Sequence, residues 1–200
     1  MKRFSGFTLI EVIVVIGIMA VMSAIVLANF PRFQRGAVVE REVAKLALAM
    51  RKAQSYSLGV REFNPAPAFN DDPFCVKIPV RFPGYGVYLA MSSPTVYTIF
   101  GDATCSKKYD TFPVDETVEN ITIENKAKLA SLKGFNVGIC SSGCALDEVL
   151  VFYLRPGPSI FLTDADGINS YDYFEISLAS SDGSVAKTAV VRSTGQISIK

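Results

Sequence analysis

Apolar side chains fill the chain from Phe7 to Phe30, interrupted only by Thr8, Glu11, Ser23 and Asn29. As a helix rising 1.5 Å per residue, this segment is about 36 Å long, enough for a hydrocarbon core of ~30 Å. Pro31 follows, lacks the backbone N–H a helix needs, and is expected to bend or locally loosen it. Beyond Pro31 the pattern becomes periodic. Val39, Val43, Leu46, Met50 and Ala53 step by four and three residues and form one apolar stripe, with Arg41, Glu42, Lys45, Arg51 and Lys52 on the other faces. The stripe is expected to pack on the chain's own sheet, with contacts to other subunits as its second use. Gly59 is the expected stop, near Ser57 or Leu58.

After Gly59 the texture changes. Asn64-Pro65-Ala66-Pro67 reads as a break, and short β-rich runs follow. Strands are predicted at Val76–Phe82, Tyr85–Ala90, Thr95–Phe100, Glu119–Glu124, Asn136–Cys140, Val149–Leu154, Ile160–Leu162, Tyr173–Ala179, Ala186–Arg192 and Gln196–Ile199. Pro83-Gly84, Asp182-Gly183 and Thr194-Gly195 supply turns. The expected fold class is α+β, a long N-terminal helix laid across a domain of antiparallel sheet. It divides into a basic start (1–6), a membrane-spanning helix (7–30), an amphipathic stalk (31–58) and a β-rich exposed globular domain (59–200).

Lys2 and Arg3 precede the apolar run, which predicts a cytoplasmic N-terminus and an external C-terminal domain. A simple anchor has these features. So does a secretory signal peptide, with a small-residue site at Val26-Leu27-Ala28 before Asn29. Glu11 is the objection to both. A carboxylate in an apolar helix costs roughly 2.5–3.5 kcal/mol near the bilayer centre and less near its edge, so it persists where a partner awaits it.

The run Gly6-Phe7-Thr8-Leu9-Ile10-Glu11, after a basic leader and before unbroken apolar sequence, resembles the prepilin leader of type IV pilins and type II secretion pseudopilins. The resemblance implies cleavage after Gly6 by a membrane prepilin peptidase and N-methylation of the new first residue, Phe7. It also implies that Glu11 pairs with an N-terminal ammonium during assembly. The physics agrees. Cleavage exposes an ammonium at Phe7, and Glu11 lies one helical turn onward, so the charges can meet within a subunit or across neighbours. Such a pair offsets part of two desolvation costs.

The rest of the chain is similar to the H-type pseudopilins and related minor pilins. The similar residues are Ala53-Gln54, Gly84-Tyr85-Gly86-Val87-Tyr88, Phe100-Gly101-Asp102, Tyr109-Asp110, Glu116 and the final strands closing on Gly195. This implies a minor or tip-associated subunit. The implied partners are the prepilin peptidase, other pilin or pseudopilin subunits, an inner-membrane assembly platform, and the membrane itself before assembly. The implied location is the cytoplasmic membrane, then a periplasmic or extracellular filament.

Composition narrows the alternatives. Twenty Lys and Arg against nineteen Asp and Glu give a net charge of +1, without the basic excess of a polyanion binder. There is no histidine, which removes Ser-His-Asp and Cys-His catalysis, His-ligated metals and the usual neutral-pH base, so no enzyme activity is expected. The four cysteines, Cys75, Cys105, Cys140 and Cys144, all follow the apolar segment and would share one compartment. An even number outside the cytosol reads as two disulfides with three possible connectivities, of which Cys140–Cys144 and Cys75–Cys105 are favoured. A four-cysteine zinc site is the rival, but no Cys-x-x-Cys occurs.

No cofactor is expected. The candidate for calcium is Asp164-Ala165-Asp166-Gly167, with Asp172 nearby. Aligning Gly167 with the glycine of an EF-hand loop puts Leu162 and Tyr173 at ligand positions, so a polar turn is preferred. Lys107-Lys108 and Lys126, Lys128, Lys133 are interspersed with Asp102, Asp110, Glu119 and Glu124, which reads as a solvated face and makes nucleic acid an unexpected partner. A structural filament subunit is therefore the leading reading. A DNA- or surface-binding minor pilin of a competence system is second. An unrelated exported or anchored β-rich protein is third.

Overall fold

The computed structural model describes residues 8–63, 81–112, 114–124, 126–138, 140–154 and 159–200. Helix α1 (Leu9–Leu58) runs 50 residues, about 75 Å, and continues through Pro31. Its two halves have different environments. Large apolar side chains from Leu9 to Phe33 are exposed, whereas Val39, Val43, Leu46, Ala49, Met50 and Ala53 are buried at the predicted helical spacing. The stripe packs on the chain's own sheets, as its periodicity requires.

The helix stops where Gly59 predicts it, but by another route. Gly59 keeps an ordinary φ of −76°, donating its N–H to the Ser55 carbonyl at 2.8 Å. Val60 takes the left-handed step (φ 51°), and Arg61 N–H reaches back to the Tyr56 carbonyl at 3.1 Å.

Two five-stranded antiparallel sheets receive the stalk. The strands are β1 (Tyr85–Ala90), β2 (Val96–Gly101), β3 (Thr117–Thr122), β4 (Lys128–Asn136), β5 (Cys140–Leu146), β6 (Glu148–Tyr153), β7 (Ile160–Thr163), β8 (Tyr173–Ala179), β9 (Ala186–Arg192) and β10 (Ile197–Ile199). The first sheet has the order β3-β2-β1-β6-β7 and the second β10-β9-β8-β4-β5. The helix lies against β1, β2 and β6 of one and β8, β9 and β10 of the other. One core results, from Val43, Leu46 and Met50 to Val87, Ile99, Val151, Phe174, Ile176 and Val191. A smaller cluster of Phe100, Leu150 and Phe152 is joined by Tyr88, Tyr109 and Phe161. It depends on Gly86, where a Cβ would lie 2.6 Å from the Phe100 ring and 2.9 Å from the Val151 carbonyl.

Most predicted strands are present, three with corrections. The run at Glu119–Glu124 is a strand shifted two residues earlier, Thr117–Thr122. Of Asn136–Cys140, the two ends belong to β4 and β5, Val137 and Gly138 form a turn instead of a strand, and Ile139 lies outside the described residues. Of Val76–Phe82, residues 76–80 lie outside the described residues, and Arg81 and Phe82 belong to no strand.

β4 pairs with β8 along almost its whole length, yet its pattern hides it. A register shift between Leu129 and Ser131 places buried Leu129 and Leu132 three residues apart instead of two. β5 carries the Cys140–Cys144 disulfide within one strand, with the two Cα atoms 5.4 Å apart. Four extended residues would span about 13 Å, so Ser141–Gly143 loop out of the ladder. Gly143 makes this possible with φ 87° and with the Phe135 ring 2.6 Å from where a Cβ would stand.

Candidate assembly interface

The first turn of α1 is capped by Thr8, whose hydroxyl accepts from the Glu11 backbone N–H at 3.4 Å. Glu11 is the acidic residue of that turn, where the helix dipole favours negative charge. Its carboxylate has no ion pair among the described residues. Gly6 and Phe7, the predicted cleavage and methylation positions, lie outside the described residues. Around Glu11 and beyond it, sixteen large apolar side chains from Leu9 to Phe33 are exposed, Leu9 at 77% and Phe33 at 75%. At ~1.5–3 kcal/mol for each side chain fully buried, covering this surface is worth tens of kcal/mol. The helix is long and apolar enough to cross a membrane, and none of its most apolar stretch is buried inside the molecule.

The exposed segment ends in Phe30-Pro31-Arg32-Phe33-Gln34-Arg35. Arg35 pairs through Nη1 with Asp182 in the β8–β9 turn. Hydrogen bonds from Ser180 and Ser184, more than the Arg35 charge, hold the Asp182 carboxyl down at about 2.

The buried half of the helix is fixed by charge as well as packing. Glu42, 2% exposed, takes Arg41 at 3.3 Å and Lys45 at 3.2 Å, and accepts from the Glu124 N–H at 3.3 Å. Lys45 also meets Glu124 at 3.0 Å, and Lys52 pairs with Glu119 on β3. These contacts fix the helix's rotation against the sheet, so the angle at which the apolar half emerges is set by the domain.

Asp102, Asp110 and Glu116, none of them expected to be buried, are gathered by the β2–β3 loop. Glu116 is fully buried and accepts from Thr104 N (2.9 Å), Thr104 Oγ1 (2.9 Å) and Asp110 N (3.0 Å). Asp102 accepts from Lys107 N at 3.0 Å. Burial pushes the Glu116 carboxyl up to about 7 and Asp102 to about 6, against the lowering effect of these hydrogen bonds. Their spacing in sequence gave no sign of burial, since neither falls on an apolar period. The geometry is that of a structural hub closing a loop.

The remaining candidates resolve locally. Asp164 receives Asn169 N at 3.4 Å and Asn169 Nδ2 at 2.5 Å, and its carbonyl takes the Gly167 N–H at 3.0 Å. Asp172 instead accepts from Val137 N at 3.1 Å. Among the described residues, Asp164, Asp166 and Asp172 form no group that could hold a metal ion, and the segment is a polar turn. Cys140–Cys144 is a disulfide, and Cys105 is disulfide-bonded; Cys75, its expected partner, lies outside the described residues. Lys107 sits 5.2 Å over the Phe161 ring.

The model of the prokaryotic N-terminal methylation motif matches residues 1–27. No match was found among curated proteins or among solved structures. That motif, the long apolar helix it opens, and the two antiparallel sheets on which the helix is seated make this a type IV pilin- or pseudopilin-like protein.

Proposed function

We propose that the chain is a non-catalytic structural subunit, a minor pilin or pseudopilin, of a type IV pilus or type II secretion-like filament. The observation that carries this reading is a helix half left uncovered by the described residues, with one carboxylate, Glu11, near its start that has no ion pair among them. Cleavage after Gly6 supplies an ammonium at Phe7, and N-methylation leaves its charge in place. Before assembly the segment lies in the cytoplasmic membrane with its N-terminus inside and the β-rich domain outside. Extraction into a filament then replaces lipid by neighbouring helices, and Glu11 pairs with an N-terminal amine. The apolar side chains supply non-directional burial, and the charge pair supplies register.

The test is the intact mass and N-terminal sequence of the protein purified from its own membrane. A start at N-methyl-Phe7 is expected. An uncut Met1, or a start at Asn29 from ordinary signal-peptide cleavage, would remove the reading.

A further inference from the structure

The uncovered helix half meets the domain at a cleft of about 310 Å³, lined by Pro31, Gln34, Arg35, Val38, Lys126 and the Ser180-Ser181 turn. We propose that this cleft binds the phosphate of an anionic phospholipid headgroup while the subunit waits in the membrane. The inference rests on the membrane-anchored reading above.

Depth is the first argument. Leu9 to Phe30 spans about 33 Å as a helix, close to the ~30 Å hydrocarbon thickness, so Gln34 and Arg35 stand about 6–8 Å further out, in the headgroup layer. Phe30 and Phe33, both exposed, mark the boundary between the two. Chemistry is the second. Arg35 and Lys126 come from separate parts of the chain to one cleft, with the Ser180 and Ser181 turn beside them. Arg35 Nε is buried with no hydrogen-bond partner, although Nη1 is engaged by Asp182. A small shift toward a phosphate oxygen gives that donor an acceptor, in the geometry guanidinium favours. Lys126 has no ion pair among the described residues and is held at φ 62°, a conformation a lysine adopts at a cost. Position is the third. Arg32 and Arg35 follow the apolar segment on its external side, against the usual bias of basic residues toward the cytoplasm, and Asp182 engages only Nη1 of the Arg35 guanidinium.

The test uses the full chain reconstituted in phosphatidylcholine vesicles, with and without phosphatidylglycerol. Flotation with the vesicles checks anchoring by itself. The association of spin-labelled phosphatidylglycerol is then compared with that of spin-labelled phosphatidylcholine. The wild type should prefer the anionic lipid by about tenfold, and Arg35→Gln with Lys126→Gln should bring the ratio near one. Lys126→Gln alone, at an exposed residue, should cut the preference severalfold even if the double variant folds poorly. Asp182→Asn, which removes the competing carboxylate, should raise it. If the protein floats but shows no preference, or a preference the substitutions leave intact, the headgroup site is wrong and the anchor stands. Substitutions that impair filament assembly without moving the ratio would assign the basic pair to a neighbouring subunit and overturn the proposal. Displacement of the spin-labelled lipid by millimolar inorganic phosphate would reassign the site to the free anion. Failure to float in either vesicle would overturn both readings together.

Discussion

Val60 occupies the left-handed region at φ 51°, half-exposed, immediately after a glycine that does not use its own freedom. A β-branched residue there costs about 1–2 kcal/mol, part of which glycine would return through its larger unfolded-state entropy. Val60→Gly is therefore expected to stabilise the chain by about 0.5–1 kcal/mol, read as a rise of a few degrees in the thermal midpoint. The buried carboxylates give a pH dependence of defined sign. Glu116 and Asp102 have folded-state values raised to about 7 and about 6, so the native state binds more protons than the unfolded chain between about pH 4 and pH 7. Their contribution is full below the unfolded values and is lost as pH rises through the folded ones, by on the order of 2 kcal/mol for each carboxylate. Glu116→Gln should flatten this slope, so that unfolding midpoints at about pH 5 and about pH 8 differ less than in the wild type. An unchanged slope would mean that Glu116 is ionised throughout.

Edge strand β5 owes its position to a covalent clip more than to its residues, since Cys140-Ser-Ser-Gly-Cys-Ala-Leu has little strand preference. Removing the clip with Cys140→Ser and Cys144→Ser should cost about 2 kcal/mol, from the entropy of closing so short a loop. Hydrogen exchange should quicken in β5 before β8, because only β5 depends on the clip for pairing. The same neighbourhood shows what the sequence conveys and what it conceals. Tyr173–Ala179 and Ala186–Arg192 stand at their predicted boundaries, because buried Phe174, Ile176 and Leu178 recur at every second position of the first, Ala189, Val190 and Val191 form a compact apolar run in the second, and a Gly turn separates them. The stalk was equally legible from the spacing of Val39, Val43, Leu46 and Met50. β4 was not. Its bulge breaks the two-residue period, and Lys, Ser and Gly lie where β-branched residues would have marked a strand. The site divides the same way. Glu11 is conspicuous as a lone charge in apolar sequence, whereas the burial of Glu42, Asp102 and Glu116 comes from tertiary closure that local pattern does not encode.

The whole molecule is a folded domain that holds one half of a helix and leaves the other half uncovered, which makes Glu11 the part most exposed to a change of surroundings. In lipid an unpaired carboxylate opposes insertion; in an assembly with an amine opposite, it favours docking. Glu11→Gln keeps the shape of the side chain and removes the charge, so the two environments should respond in opposite directions. Membrane-inserted monomer should be as stable as wild type or more so, since a cost of up to roughly 2.5–3.5 kcal/mol is relieved. Assembly should fall at least tenfold, because the ammonium proposed as its partner would be left desolvated without a counter-charge. Fractionating membrane monomer from sheared filaments measures both in one experiment. A mere loss of folding would deplete both fractions, and a simple anchor would leave the filament-to-membrane ratio unchanged. A shift from filament to membrane, with processing at Phe7 intact, is the pattern that only a charge acting at the assembly step produces.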